Sequence, residues 1–161
     1  MKTLRDLFNH EIKDLYSAEK QFSDSISKFV NATSDNNLKH IITQLEEETK
    51  SQFDEIHSVC ENLEINPGNT KCQAMEGLLK EADGIINSDS NKDVKDAGII
   101  ARIQRIAHYT ISAYGTAVRF ARELGLEDAA ERLQNTLDSK YNADARLGKI
   151  AKNRINEEAM A

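Results

Sequence analysis

The chain contains long stretches in which apolar residues recur three or four positions apart, which is the spacing of one face of an α-helix. The first stretch runs from about Thr3 to Asn31, and the second runs to about Leu63. A shorter stretch covers Lys71 to Asn87, a long one covers Asp93 to Leu124, and the last begins near Glu127. Five helices are therefore predicted, four of them long and one short.

Few residues in the chain break helices. The single proline lies in Asn66-Pro67-Gly68, which we expect to end the second helix, and Gly125 precedes the last one. Four long helices with a short helix between the second and third are typical of a bundle with a long crossover connection. The pattern predicts an all-α, ferritin-like four-helix bundle that forms a single domain over residues 1–161.

Charge and hydropathy exclude two classes of partner. The net charge is −6, and acidic and basic residues alternate without a lysine-arginine block, so we expect no nucleic-acid partner. No apolar run is long enough for a signal peptide or a membrane span, which predicts no membrane contact and a cytoplasmic location. Cys60 and Cys72 are too few for a disulfide scaffold. Reduced thiols are favoured, and pairing of the two stays open because they flank the predicted turn.

Several polar residues fall in phase with the apolar faces of the long helices. Glu19 lies four residues after Leu15 and three before Phe22, so its carboxylate is predicted on the buried face of the first helix. The others with similar phase are Glu48, Gln52, His108, Lys140 and Asp144. A buried carboxylate without a partner is strongly unfavourable, so these groups must meet one another, a metal or water.

Two interpretations of these polar residues are open. Carboxylates that converge from facing helices build iron and manganese sites in bundles, since those ions prefer oxygen ligands. The other interpretation is a buried network in which Lys140 supplies the positive charge and Gln52, His108 and Tyr109 supply hydrogen-bond donors. Spacing alone favours the network, because buried charges are more often paired than catalytic. No glycine-rich phosphate loop or Ser-His-Asp arrangement is present.

Segments distributed along the chain carry a family resemblance. In order, they are Asp14–Gln21, Glu47–Thr49 with Gln52, Cys72–Leu78, His108–Tyr109 with Ala113–Thr116, and Thr136–Leu137 followed by Asp144. With them the chain resembles the YciE/YciF-type bacterial stress proteins, a ferritin-like family, over nearly its whole length. The resemblance implies a homodimer of ferritin-like bundles that is linked to stress response and has no established biochemical activity.

The resemblance also implies a di-iron carboxylate site in the core of the bundle. Glu19 and Glu48 match the acidic ligands of the first two helices, and Asp144 matches an acidic residue of the last helix. The resemblance supplies these three acids. His108, which is close in phase with the apolar face of its helix, is a fourth candidate ligand for a single divalent ion.

Three acids of the family pattern are absent from this chain. The positions expected to carry glutamate hold Ala107, Thr110 and Lys140. An ammonium group in place of a carboxylate changes the local charge by two units and repels a metal cation. We therefore expect one of two states for this site. Either it binds no metal, or it weakly binds a single divalent ion such as iron or manganese.

Three hypotheses of function follow from the sequence. The first, which we favour, is a non-enzymatic stress protein whose metal centre has been replaced by an ionic network. The alternative is an iron- or manganese-binding protein with oxidase or peroxide-scavenging activity. A third is a bundle whose exposed face binds an unidentified protein partner.

Overall fold

The computed structural model describes residues 1–160 and contains five principal helices. They are α1 (Leu4–Ala32), α2 (Asn36–Asn62), α3 (Gln73–Ile86), α4 (Lys92–Glu123) and α5 (Glu127–Ile150). A π-helical turn, Ala151–Ile155, and a short helix, α6 (Asn156–Glu158), follow α5. Residues 1–160 contain no strand, so the all-α prediction is confirmed, and the predicted bounds lie within two residues of the observed ones. None of the described helices is long and apolar enough to cross a membrane.

The loop between α1 and α2 is fastened by two aspartates. Asp35 is the N-cap of α2, and its Oδ1 accepts a hydrogen bond of 2.8 Å from the Leu38 N–H. The buried Asp96 of α4 accepts the Ser34 and Asp35 N–H groups at 2.9 and 2.7 Å. Because N–H groups before a helix and in its first turn lack intrahelical partners, the two carboxylates satisfy donors that would otherwise be unpaired.

Helix α4 ends just before Gly125, in a Schellman motif. The Leu126 N–H donates to the Ala121 carbonyl at 2.9 Å, and the Gly125 N–H donates to the Arg122 carbonyl at 3.0 Å. Gly125 has φ = +68°, a left-handed conformation that glycine adopts without the steric penalty of a Cβ.

Helix α2 ends in the same motif, but with a glutamate in the glycine position. The Ile65 N–H donates to the Cys60 carbonyl at 2.8 Å, and the Glu64 N–H donates to the Glu61 carbonyl at 3.1 Å. Glu64 has φ = +55°. The prediction that Asn66-Pro67-Gly68 ends this helix is therefore wrong, because the chain has already turned at Glu64.

The four long helices form a bundle in which every neighbouring pair is antiparallel. Helix α1 packs against α2 and α4, and α5 packs against the same two helices, so α1 and α5 lie on a diagonal. The N-terminal part of α1 shares an apolar cluster with the C-terminal parts of α2 and α4 and the N-terminal part of α5. This arrangement is consistent with the predicted ferritin-like fold.

Helix α3 is the predicted crossover helix. Since α2 ends and α4 begins at opposite ends of the bundle, the connection must run along it, and 14 helical residues span about 21 Å. It packs on α1 and α4. A Cβ on Gly98 of α4 would lie 2.8 Å from the Ile85 side chain, so glycine permits the close approach of α3 to α4. The crossover therefore covers the α1–α4 face and leaves the α2–α5 face uncovered.

A polar joint fastens the start of α3 to α1 and α4. The Tyr109 hydroxyl donates to Asp14 Oδ2 at 2.7 Å and lies 2.9 Å from Cys72 Sγ. The Cys72 backbone donates to Ser17 Oγ at 2.9 Å and accepts from Gln21 Nε2 at 3.0 Å. Burial is the main factor that raises the pKa of the Cys72 thiol and of the Tyr109 hydroxyl. The joint therefore consists of neutral donors around one carboxylate.

Both cysteines are buried free thiols. Cys72 lies in one apolar cluster of the core and Cys60 in the other. Burial raises the pKa of Cys60 to about 11, so this thiol stays protonated near neutral pH. Cys60 acts as a small apolar group in packing, whereas Cys72 Sγ also caps α3 by accepting the Met75 N–H at 3.4 Å.

A layer of buried polar side chains divides the core into two apolar clusters. One cluster includes Phe22, Ile42, Ile103 and Leu147, and the other includes Ile12, Ile56, Ala117 and Leu133. Between them along the four long helices lie six buried polar residues: Glu19, Thr49, Gln52, Thr110, Thr136 and Lys140. The polar layer therefore lies halfway along the bundle, where it interrupts otherwise continuous hydrophobic packing.

We predict that Glu64→Gly raises the free energy of unfolding by about 1 kcal/mol, because it relieves the left-handed strain of a residue with a Cβ. Gly125→Ala should lower it by about the same amount for the converse reason. The matched control is Gly84→Ala, inside α3 with open space around it, which should be neutral or stabilising. Urea denaturation of the parent protein and the three variants measures these changes in the free energy of unfolding. A destabilised Glu64→Gly variant would contradict this account.

Candidate functional site

The centre of the polar layer is an ion pair between helices that lie on a diagonal. Lys140 Nζ of α5 is 2.7 Å from Glu19 Oε1 of α1. Only 5% of the lysine side chain and none of the glutamate side chain is exposed. Two charges this deep in the bundle must be paired, because removal of either partner leaves the other in a low-dielectric interior.

Tyr114 of α4 packs against this pair. The Lys140 ammonium lies 5.9 Å from the centre of the Tyr114 ring, within the range of a cation–π contact. Burial, followed by the nearby Glu19 carboxylate, raises the pKa of the Tyr114 hydroxyl. The hydroxyl and the carboxylate interact at close range, but neither forms a well-directed hydrogen bond to the other. The tyrosine is therefore neutral and contributes polarity without charge.

Glu48, the second predicted acidic ligand, points away from this pair. Both of its carboxylate oxygens accept hydrogen bonds from Arg146 Nη2, at 2.7 and 2.8 Å. About one third of each side chain is exposed. Glu48 therefore belongs to a contact between α2 and α5 at the surface of the bundle.

Asp144, the third predicted acid, lies on the opposite side of α5. Its Oδ1 accepts a hydrogen bond of 3.2 Å from Gln104 Nε2, and its Oδ2 lies 3.0 Å from His108 Nε2. The His108 side chain is 66% exposed. These three groups form a half-exposed cluster between α4 and α5, and a protonated His108 would form an ion pair with Asp144.

The structure also places Gln52 and Tyr109, which were predicted to belong to one network, in different contacts. Gln52 lies in the polar layer, and its Nε2 donates to Ser139 Oγ at 3.0 Å. Tyr109 lies instead in the joint with Asp14 and Cys72. Within residues 1–160, no three His, Cys, Asp or Glu side chains are grouped so that they could hold a metal ion. The structure thus brings together Glu19 and Lys140 and distributes the other candidates among separate contacts.

Two positions expected to carry glutamate hold groups that need no partner from another helix. Ala107 is buried, and Thr110 Oγ1 is within hydrogen-bond distance of the Ile106 and Ala107 carbonyls, at 3.2 and 2.9 Å. Helix α4 therefore supplies no carboxylate to the polar layer.

Sequence reasoning missed the two arginines that pair with glutamates across α2 and α5. Arg146 binds Glu48, and Arg132 donates to Glu55 Oε1 at 2.6 Å and to Ser58 Oγ at 2.8 Å. Arginine at the edge of a helical face has no distinctive periodicity. A combined phase analysis of the two antiparallel helices could have found both pairs, since the α5 residues appear in reverse order opposite α2.

The chain is similar in sequence to known proteins over nearly its whole length. Residues 3–160 match the family described as Domain of unknown function (DUF892). The chain is 40% identical to Protein YciF of Escherichia coli strain K12 over 162 residues, which is 99% of this chain and 96% of that protein.

Solved structures share the fold over almost the full length. The crystal structure of the E. coli stress protein YciF has a TM-score of 0.92 and 39% identity, and it covers 97% of this chain and 99% of that one. YcfI from Rhodopseudomonas palustris has a TM-score of 0.87 and 33% identity, with 92% and 94% covered. A Xanthomonas campestris protein, 18% identical with a TM-score of 0.72 and 93% and 92% covered, shares the fold alone. The resemblance inferred from the sequence is confirmed, and the chain belongs to the DUF892 family that includes the stress protein YciF.

Proposed function

We propose that this chain is a non-enzymatic stress-response protein in which the ammonium group of Lys140 takes the place of a metal cation at the centre of a ferritin-like bundle. The observation that supports this most directly is the 2.7 Å contact between Lys140 Nζ and Glu19 Oε1, both buried. A stress role is proposed by similarity to the relative named as a stress protein.

The donor set around Lys140 does not fit a pair of iron ions. Glu19 contributes one carboxylate, already balanced by an ammonium that would repel a cation. Glu48 is bound by Arg146, and Asp144 is engaged by Gln104 and His108. To assemble around a metal, these acids would have to leave their partners and turn inward.

The charge balance of the polar layer also favours a structural role. A single carboxylate and a single ammonium leave the layer neutral, so the bundle does not depend on an external ion to fold. Redox metal chemistry would require several oxygen ligands and an open coordination position. The described side chains instead supply a paired charge, hydroxyl groups and one amide.

We predict that Lys140→Ala lowers the free energy of unfolding by about 3–5 kcal/mol, because it leaves Glu19 buried without a counter-charge. Lys149→Ala, on the exposed side of the same helix, is the control and should change it by less than about 0.5 kcal/mol. The double variant Glu19→Leu with Lys140→Met should recover most of the loss, since apolar residues of similar size need no partner. Chemical denaturation measures each variant, and a Lys140→Ala protein as stable as the parent would contradict the network.

Elemental analysis tests the proposal against the metal-binding alternative. Protein purified without chelator, and again after anaerobic loading with ferrous iron and desalting, should contain far less than one metal ion per chain. Manganese loading serves as a second probe. Two irons per chain, with an absorbance change on exposure to oxygen, would overturn the proposal and support an oxidase or peroxide-scavenging function.

We also propose that the chain forms a homodimer inside the cell, as the family resemblance implies. Sedimentation velocity should then give twice the chain mass of 18.1 kDa at micromolar concentration. A monomer at all concentrations would rule out the dimer and leave the proposal for Lys140 unaffected.

A further inference from the structure

The face of the bundle that α3 leaves uncovered contains an open polar trough between α2 and α5. Its volume is about 620 Å³. Carboxylates, hydroxyls and an amide line it, among them Glu48, Ser51, Gln52, Glu55, Thr136 and Ser139. The Glu48–Arg146 and Glu55–Arg132 pairs bridge the two helices on either side of the Gln52–Ser139 hydrogen bond.

The floor of the trough reaches the polar layer in the middle of the core. Gln52 and Thr136 line the trough, yet only 7% and 6% of these residues are exposed. Ser139 directly precedes Lys140 on α5, so the Gln52–Ser139 contact sets Gln52 level with the buried ion pair. The floor of the trough at Gln52 therefore lies at the same level of the bundle as Glu19 and Lys140.

Several polar atoms in this layer, and the adjoining Tyr114 hydroxyl, form no hydrogen bond within the part of the chain whose side chains are described. They come from three helices: both Glu19 carboxylate oxygens, Thr49 Oγ1, Gln52 Oε1 and the Tyr114 hydroxyl. Each belongs to a residue that is more than nine-tenths buried. Lys140 has three N–H donors, and its ammonium forms an ion pair with Glu19 Oε1 at 2.7 Å without a well-directed hydrogen bond. Buried polar atoms in folded proteins are almost always satisfied, so this concentration points to a bound molecule.

We propose that this layer is a binding site for one or two ordered water molecules, and that they enter from the trough past Gln52. The site mixes acceptors on Glu19 and Gln52 with donors on Lys140 and hydroxyls on Thr49 and Tyr114. Water matches such a mixture because it both donates and accepts, and buried waters typically make about three hydrogen bonds. An anion would be repelled by Glu19 and a metal cation by Lys140.

Gln52 is the side chain that controls entry to the site. Its Nε2 donates to Ser139 Oγ in the trough, while its Oε1 is buried and forms no hydrogen bond with the described residues. When that amide contact opens, solvent gains a path to the Lys140 ammonium. The hydration therefore gives the buried pair a route for proton exchange with bulk water, although both charges are inaccessible in the resting structure.

Nuclear magnetic resonance of the full chain tests this inference. In the parent protein, water oxygen-17 relaxation dispersion should reveal water that stays bound longer than the protein takes to tumble. Water cross-peaks should connect this water to Tyr114 and to the Lys140 ammonium. Gln52→Ala should shorten the residence time and speed exchange of the Lys140 ammonium hydrogens by about tenfold, because one closing hydrogen bond is lost. Ser51→Ala, also in the trough but exposed, is the matched control and should leave both unchanged.

Tyr114→Phe is a second variant that leaves the trough intact. It removes one partner of the bound water, so the cross-peaks at Lys140 should weaken while its exchange route stays closed.

No long-lived water in the parent protein, or no change on Gln52→Ala, would overturn the inference. The inference rests on the proposed Glu19–Lys140 network. Stoichiometric metal would refute that network, whereas a metal-free protein without long-lived water would refute the hydration alone.

Discussion

A single lysine–glutamate pair, buried at the point where four helices meet, is the constraint to which the rest of this structure conforms. Because both charges are excluded from solvent, α1 and α5 must hold a register in which they meet across the diagonal of the bundle. The apolar residues then pack above and below, as two clusters. The pair thus specifies alignment, while the hydrophobic clusters supply most of the stabilisation.

The crossover helix makes the two long faces of the bundle unequal. One face is covered by α3 and held by the joint of Asp14, Cys72 and Tyr109. The opposite face depends on arginine–glutamate contacts that are partly exposed to water. Exposed ion pairs contribute less than packed apolar surface, so the α2–α5 face is the side on which the bundle can open most readily.

The helices, their order and the crossover could be predicted from the sequence, because hydrophobic periodicity determines them directly. The burial of Glu19 and Lys140 could also be predicted from helical phase. The outward direction of the Glu48 side chain could not be predicted. Helical phase gives the face of the helix on which a residue lies, but it does not show that an arginine on another helix binds the carboxylate. The residue that ends α2 was missed, although the position of that end was predicted, because Glu64 adopts a conformation that its residue type disfavours.

The position of Lys140 also has a consequence for how such bundles can change over evolutionary time. Lysine and glutamate codons differ only in their first base, so one nucleotide separates the ammonium from the acid of the family pattern. That exchange alone would place two carboxylates in the buried layer without a counter-charge. Conversion between an internally balanced bundle and an acid-rich one therefore passes through an unstable intermediate sequence.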